Sequence, residues 1–116
     1  MVTFDEVREM VFAYPGVSEA FVFGGPTLRV GKRFLCCIAK IDPNTLCLKV
    51  PDQREREFLL NSQPDVYYMQ DHYANFECVL IRMPEADPAE VRRLIGEAWR
   101  AYAPKRVLKA YDEERG

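Results

Sequence analysis

With 116 residues, 48% of them hydrophobic, and seven Phe, six Tyr and one Trp among them, the chain has material for one core of about 13 Å radius of gyration and little room for a second domain. Acidic Asp5, Glu6 and Glu9 stand where a secretion signal would be basic and then apolar, and no run of about 18 apolar residues occurs, so a cytoplasmic chain without leader or membrane span is expected. The net charge of −2, from 16 basic and 18 acidic residues, argues against a dedicated, tight nucleic-acid binder.

The first element reads as a helix over about residues 3–13. Thr3-Phe4-Asp5-Glu6 forms a capping box, and Phe4, Val7, Met10, Val11 and Tyr14 make an apolar stripe at helical spacing. Tyr14-Pro15-Gly16 stops it, because proline disfavours helical geometry in the residue before it. A strand-rich stretch follows, with Ala20-Phe21-Val22-Phe23 broken by Gly24-Gly25-Pro26. Residues 27–30 and 33–41 then flank Gly31-Lys32, which suits a tight hairpin. Residues 45–50 alternate with period two and put Leu46, Leu48 and Val50 on one face. These connections are too short for parallel crossovers, so the stretch is an antiparallel meander.

Pro51-Asp52 opens a short helix, with Asp52 and Glu55 at capping-box spacing and Phe58, Leu59 and Leu60 as its apolar side. Residues 66–69 read as a brief strand and 77–83 as a firm one. Asp87-Pro88-Ala89-Glu90 then starts the clearest helix, with an N-cap, a proline at the first helical position and an acid three residues after the cap. Its stripe is Val91, Leu94, Ile95, Ala98, Trp99 and Tyr102. Arg93, Glu97 and Arg100 lie opposite, where the acid can offset both arginines. Ala103-Pro104 breaks the helix. Residues 105–114 are open to one more helical segment, and residues 112–116 are expected to fray. The order is α-βββ-α-ββ-α, an α+β fold in two layers: a mainly antiparallel sheet with helices on one face.

No catalytic or metal centre emerges. Cys36 and Cys37 are adjacent and should point to opposite faces of a strand, no C-x-x-C occurs, and a single His supplies no zinc-type ligand set. The four cysteines, Cys36, Cys37, Cys47 and Cys78, therefore read as reduced thiols acting as small apolar side chains. No nucleophile motif accompanies His72, and Gly24-Gly25 lacks the spacing of a phosphate-cradling loop. The chain is not expected to be an enzyme or to need a cofactor. Charge is unevenly spread: residues 1–28 sum to −3, 29–56 to +4, 57–91 to −6, 92–109 to +5 and 110–116 to −2. Two basic blocks in an acidic chain can make a positive face if folding brings them together.

Several short stretches resemble the MmcQ/YjbR-like family of small bacterial proteins. They are Tyr14-Pro15-Gly16-Val17, Leu28-Arg29-Val30-Gly31-Lys32-Arg33-Phe34, Leu48-Lys49-Val50, His72-Tyr73, Ala98-Trp99-Arg100 and Ala103-Pro104-Lys105-Arg106. Their order and spacing span nearly the whole chain. The resemblance implies a compact α+β domain likened to double-wing DNA-binding and secretion-chaperone-like folds. Asp71 precedes His72 where many relatives carry a basic residue.

Two basic groups are candidates for phosphate contacts: Arg29, Lys32 and Arg33 at the hairpin, with Lys40 and Lys49, and Lys105, Arg106 and Lys109 after the last long helix. The plainer alternatives are a lysine-protected sheet edge for the first group and cations complementing a helix C-terminus for the second. Tyr68, His72 and Tyr73 are candidates for a small polar pocket around the one group that titrates near neutrality. The expected function is DNA binding through the basic blocks. The alternative is a protein- or peptide-interaction module, as the chaperone-like resemblance implies.

Overall fold

The computed structural model describes residues 1–22, 25–40, 42–71 and 76–115. In chain order the elements are α1 (Phe4–Phe12), β1 (Val17–Val22), β2 (Gly25–Val30), β3 (Arg33–Ile38), β4 (Thr45–Lys49), α2 (Gln53–Ser62), β5 (Tyr67–Tyr68), β6 (Cys78–Arg82), a 3-10 turn (Met83–Glu85), α3 (Pro88–Tyr102) and α4 (Lys105–Arg115). The α+β class and the antiparallel sheet are as expected. The count of elements differs in two places. Four strands, not three, separate the first two helices, because Val17–Val22 pairs along its whole length with β2. A fourth helix, left open in the sequence, runs over Lys105–Arg115, and in it the Asp112 carboxylate takes the Arg100 guanidinium at 2.8 Å.

The six strands lie in the order β1-β2-β3-β4-β6-β5, every neighbouring pair antiparallel. Period-two alternation sorts their side chains. Leu28, Val30, Leu46, Leu48, Val79 and Ile81 face the helices and share one buried cluster with Val7, Val11, Leu59, Leu94, Ile95 and Trp99. Cys47, Cys78 and Leu80, with Phe34, Cys37 and Tyr68 against them, form a second cluster that contains no helical residue. One face is therefore covered by helices, while among the described residues no helix packs on the cluster of the other. Alternation fails at one point. Leu28 stands opposite Cys36 while Arg29 stands opposite Phe34, which leaves Leu35 as the extra residue of a β-bulge. Leu35 and Cys36 consequently both enter the helix-side core, and Cys37 turns to the other face.

Local sequence explains most helix ends. Thr3 and Glu6 complete a reciprocal capping box on α1. Asp87 caps α3 by accepting from the Ala89 amide at 3.1 Å. In α2, Asp52 caps through the Arg54 amide at 2.9 Å, but Glu55 is drawn away to Arg93 on α3, 3.0 Å distant. Only Leu59 of the expected apolar trio is fully buried, and Phe58 is 63% exposed. Glu90, expected only as a favourable first-turn charge, accepts from the buried Tyr67 hydroxyl and from Gln63. Glu97 neutralises Arg93 alone, because Arg100 reaches Asp112 instead.

Trp99 ties the C-terminal helices to the start of the chain. It is 0% exposed, stacks on Tyr14 with ring centroids 4.9 Å apart, and meets Tyr111 of α4 edge-on at 4.8 Å. Its indole N–H donates to the Pro15 carbonyl at 3.0 Å. Beside it the β2–β3 turn meets two other connections. The Gly31 amide donates to the Gly16 carbonyl at 2.9 Å, and Gly31 itself has φ +58°. A methyl on Gly31 would lie 3.0 Å from Pro104 Cγ. Gly31→Ala is expected to cost about 1–2 kcal/mol from left-handed backbone alone, with a further loss as Pro104 is pushed aside. Gly25→Ala, whose methyl meets nothing within 4 Å, is expected to change little. Urea unfolding of the two variants checks the contrast.

Candidate nucleic-acid interface

The contact between Gly31 and Pro104 joins the two basic stretches. Lys32 and Arg33 leave the hairpin turn, and Lys105 and Arg106 open α4 directly after Pro104. Tyr102, the last residue of α3, is where the cations gather. The Lys49 ammonium lies 5.0 Å and the Arg33 guanidinium 5.9 Å from the centre of its ring, an attraction between cation and ring face. Lys49 comes from the end of β4, so the turn, two strand ends and a helix junction build one end of the molecule. Lys32, Arg33, Lys105 and Arg106 are exposed and Lys49 is half-buried.

The ion-paired carboxylates of the described residues lie elsewhere. Arg8 holds Asp5 and Glu19, Arg93 holds Glu55 and Glu97, and Arg100 holds Asp112. Among the described residues, none of Arg29, Lys32, Arg33, Lys49, Lys105 and Arg106 forms an ion pair. One acid does enter the patch: Glu77 accepts the Tyr102 hydroxyl at 2.7 Å. β2 and β3 are interior strands, so protection of a sheet edge does not account for Arg29 and Arg33. Arg29 stands apart from the others. It lies on the helix-free face between Ser18 and Phe34, and its buried Nε has no hydrogen-bond partner.

Burial first, and then the bond to Glu77, pushes the Tyr102 phenol up to about 12. The unfolded phenol titrates near 10. The protonated form is thus favoured by folding, and its contribution is whole below pH ~10 and lost as pH rises from about 10 to about 12. Tyr67 is raised too, by burial and then by Glu90. Urea midpoints are expected to fall between pH 9 and pH 12, less steeply for Tyr102→Phe than for the natural chain.

The proposed pocket around Tyr68, His72 and Tyr73 is only partly visible. His72 and Tyr73 lie outside the described residues. Tyr68 is committed to structure: its hydroxyl shares a 2.9 Å hydrogen bond with Thr45, and Arg82 lies 4.0 Å over its ring. A feature that sequence reasoning missed is a groove of about 980 Å³ on the helix-free face, lined by Thr27, Phe34, Cys37, Cys47, Phe76 and Cys78 among others. Its signal was the parity of β4, which turns Cys47 away from the core side of Leu46 and Leu48. Tyr102 was also missed as a site residue, since its place on an apolar stripe looked like core.

Residues 12–101 match the model of the YjbR family. The chain belongs to the YjbR family. Curated relatives of this YjbR-family chain include uncharacterised proteins of Mycobacterium tuberculosis and Mycobacterium bovis, each 27% identical over 127 residues and covering 96% of both chains. The crystal structure of a Deinococcus radiodurans protein with a DUF419 domain superposes with a TM-score of 0.73, at 21% identity over 85% of this chain and 77% of that one. That likeness is one of fold. Among the described residues, no helix is long and apolar enough to cross a membrane.

Proposed function

We propose that this YjbR-family chain is a non-enzymatic cytoplasmic protein that binds the phosphate backbone of DNA through the end built around Tyr102. The observation that carries the reading is the meeting of Lys32, Arg33, Lys49 and Lys105 at one place, with no ion pair to a carboxylate among the described residues. Cations with no internal acid are free to exchange their counterions for phosphates. An exposed hairpin tip beside a helix start offers a ribbon and a backbone amide end to the same strand. Four free cysteines suit a reducing compartment. Nothing in the arrangement reads bases, so affinity without strong sequence preference follows.

The test is a salt titration with a fluorescent mixed-sequence duplex. Four phosphate contacts give a log–log slope of about −3.6, or roughly a 150-fold loss of affinity between 50 and 200 mM salt. No binding at low salt, or binding indifferent to salt, overturns the reading. A second reading is favoured by β1, a six-residue edge strand whose Phe21 is 78% exposed. An unpaired edge with an apolar side chain is suited to adding an extended peptide as a further strand. That mode would show in the same assay as capture of extended apolar peptides at all salt concentrations, with no retention of the duplex.

A further inference from the structure

Three thiols stand in a row on the helix-free face, across β3, β4 and β6. Cys37 lies directly opposite Cys47 in the β3–β4 register. Cys78, opposite Lys49 in the β4–β6 register, lies on the other side of Cys47 and shares its buried cluster. Directly opposed antiparallel residues have Cα atoms about 4.5–5.5 Å apart, within the span of about 4.4–6.8 Å that a disulfide bridges. All three line the groove of about 980 Å³. Cys47 and Cys78 are buried and Cys37 is half-buried, so a small molecule entering the groove meets Cys37 first. Cys36 is on the opposite face, sealed in the helix-side core.

We propose that Cys37 and Cys47 are a thiol oxidation site, at which a hydroperoxide oxidises Cys37 and Cys47 then closes a bridge between β3 and β4. In the first step the Cys37 thiolate attacks the peroxide. An S–O bond forms, the O–O bond breaks, and the leaving oxygen takes a proton to become water or an alcohol. In the second step Cys47 attacks the Cys37 sulfenic acid. An S–S bond forms, the S–O bond breaks, and the hydroxide leaves as water with the Cys47 proton. Two thiols lose two electrons and two protons, and the peroxide is reduced by the same two electrons. The Cys47 thiol opposite holds the Cys37 thiol below its ordinary range, against the opposing effect of burial, which favours the reactive thiolate. Cys36, by contrast, is pushed up by burial. Lys49 of the basic end also lines this groove, but the bridge needs no DNA contact, so the proposal stands whether or not that end binds DNA.

The experiment treats the fully reduced chain with excess hydrogen peroxide, alkylates it, digests it without reduction and maps the peptides by mass spectrometry. The expected result is the loss of two hydrogen atoms per chain, with residue 47 linked to the peptide that carries 36 and 37. Cys36→Ser keeps the bridge and Cys37→Ser abolishes it. Cys47→Ala leaves a sulfenic acid on residue 37 that dimedone captures. Circular dichroism establishes that each variant is folded, and if Cys47→Ala does not fold, the map of the natural chain and of the Cys36 and Cys37 variants decides. A bridge through Cys36 or Cys78, linkage only between chains, or no hydrogen loss overturns the proposal.

Discussion

Trp99→Ala is expected to destabilise the fold by about 3–5 kcal/mol, the range for emptying a large buried aromatic site. Against a total of about 5–15 kcal/mol for a domain, that is a large share, and the melting temperature should drop by roughly 12–20 °C. The reason lies in what the ring touches. It is fully buried, it stacks on Tyr14 and meets Tyr111, and it holds the Pro15 carbonyl. Three separate chain stretches thus share one side chain, so the cavity has few ways to collapse. Trp99→Phe keeps much of the ring contact but loses the N–H donor, and should cost about 1–2 kcal/mol from the orphaned carbonyl. Thermal melts followed by circular dichroism check both values. Because Tyr111 belongs to α4, the alanine variant should also loosen the helix that carries Lys105 and Arg106. Duplex affinity measured well below its melting temperature should then fall as well.

Replacing Lys32, Arg33, Lys49 and Lys105 together with alanine is expected to flatten the salt dependence of duplex binding almost completely. Each phosphate contact contributes about −0.9 to the log–log slope, so removal of four takes a slope of about −3.6 towards zero. At 50 mM salt the loss of affinity should be at least a hundredfold, because the counterion-release gain disappears with the contacts. Single substitutions should each lower the slope by about one. Glu77→Gln is the opposite arm: the Tyr102 hydroxyl keeps an acceptor while a carboxylate in the patch is removed, so low-salt affinity should rise. Fluorescence anisotropy over a salt series reads all of these. A quadruple variant that is folded and binds with an unchanged slope would remove the basic end from consideration.

How much of this could be read from the sequence depended on the distance over which a residue acts. The capping box at Thr3 and Glu6, the Asp87-Pro88 start of α3 and the break at Pro104 are local rules, and the chain obeys them. The alternation of residues 45–50 likewise gave the inward set Leu46, Leu48 and Val50. Side chains claimed by distant partners escaped notice. Glu55 left its own helix for Arg93, and Arg100 passed over Glu97, one turn back on the same helix, for Asp112 on the next one. Whether the two basic blocks meet is a question of topology. Its answer, the approach of Gly31 to Pro104, joins residues more than seventy positions apart and has no local signature. The thiol row was half legible: parity turned Cys47 outward, but nothing nearby in sequence says that Cys37 stands opposite it or that Cys78 stands beside it.

The supernumerary Leu35 has one more effect, on what lengths of β3 the fold can accept. Everywhere else along that strand, adding or removing a single residue would invert the facing of all that follows, swinging Ile38 away from the helix-side core. At position 35 the ladder has already absorbed an uneven count, so a chain one residue shorter there would keep Phe34 and Cys37 on their present sides and forfeit just one leucine from the interior. The strand carries its own tolerance for a length change at the single place where such a change does not turn the sheet inside out.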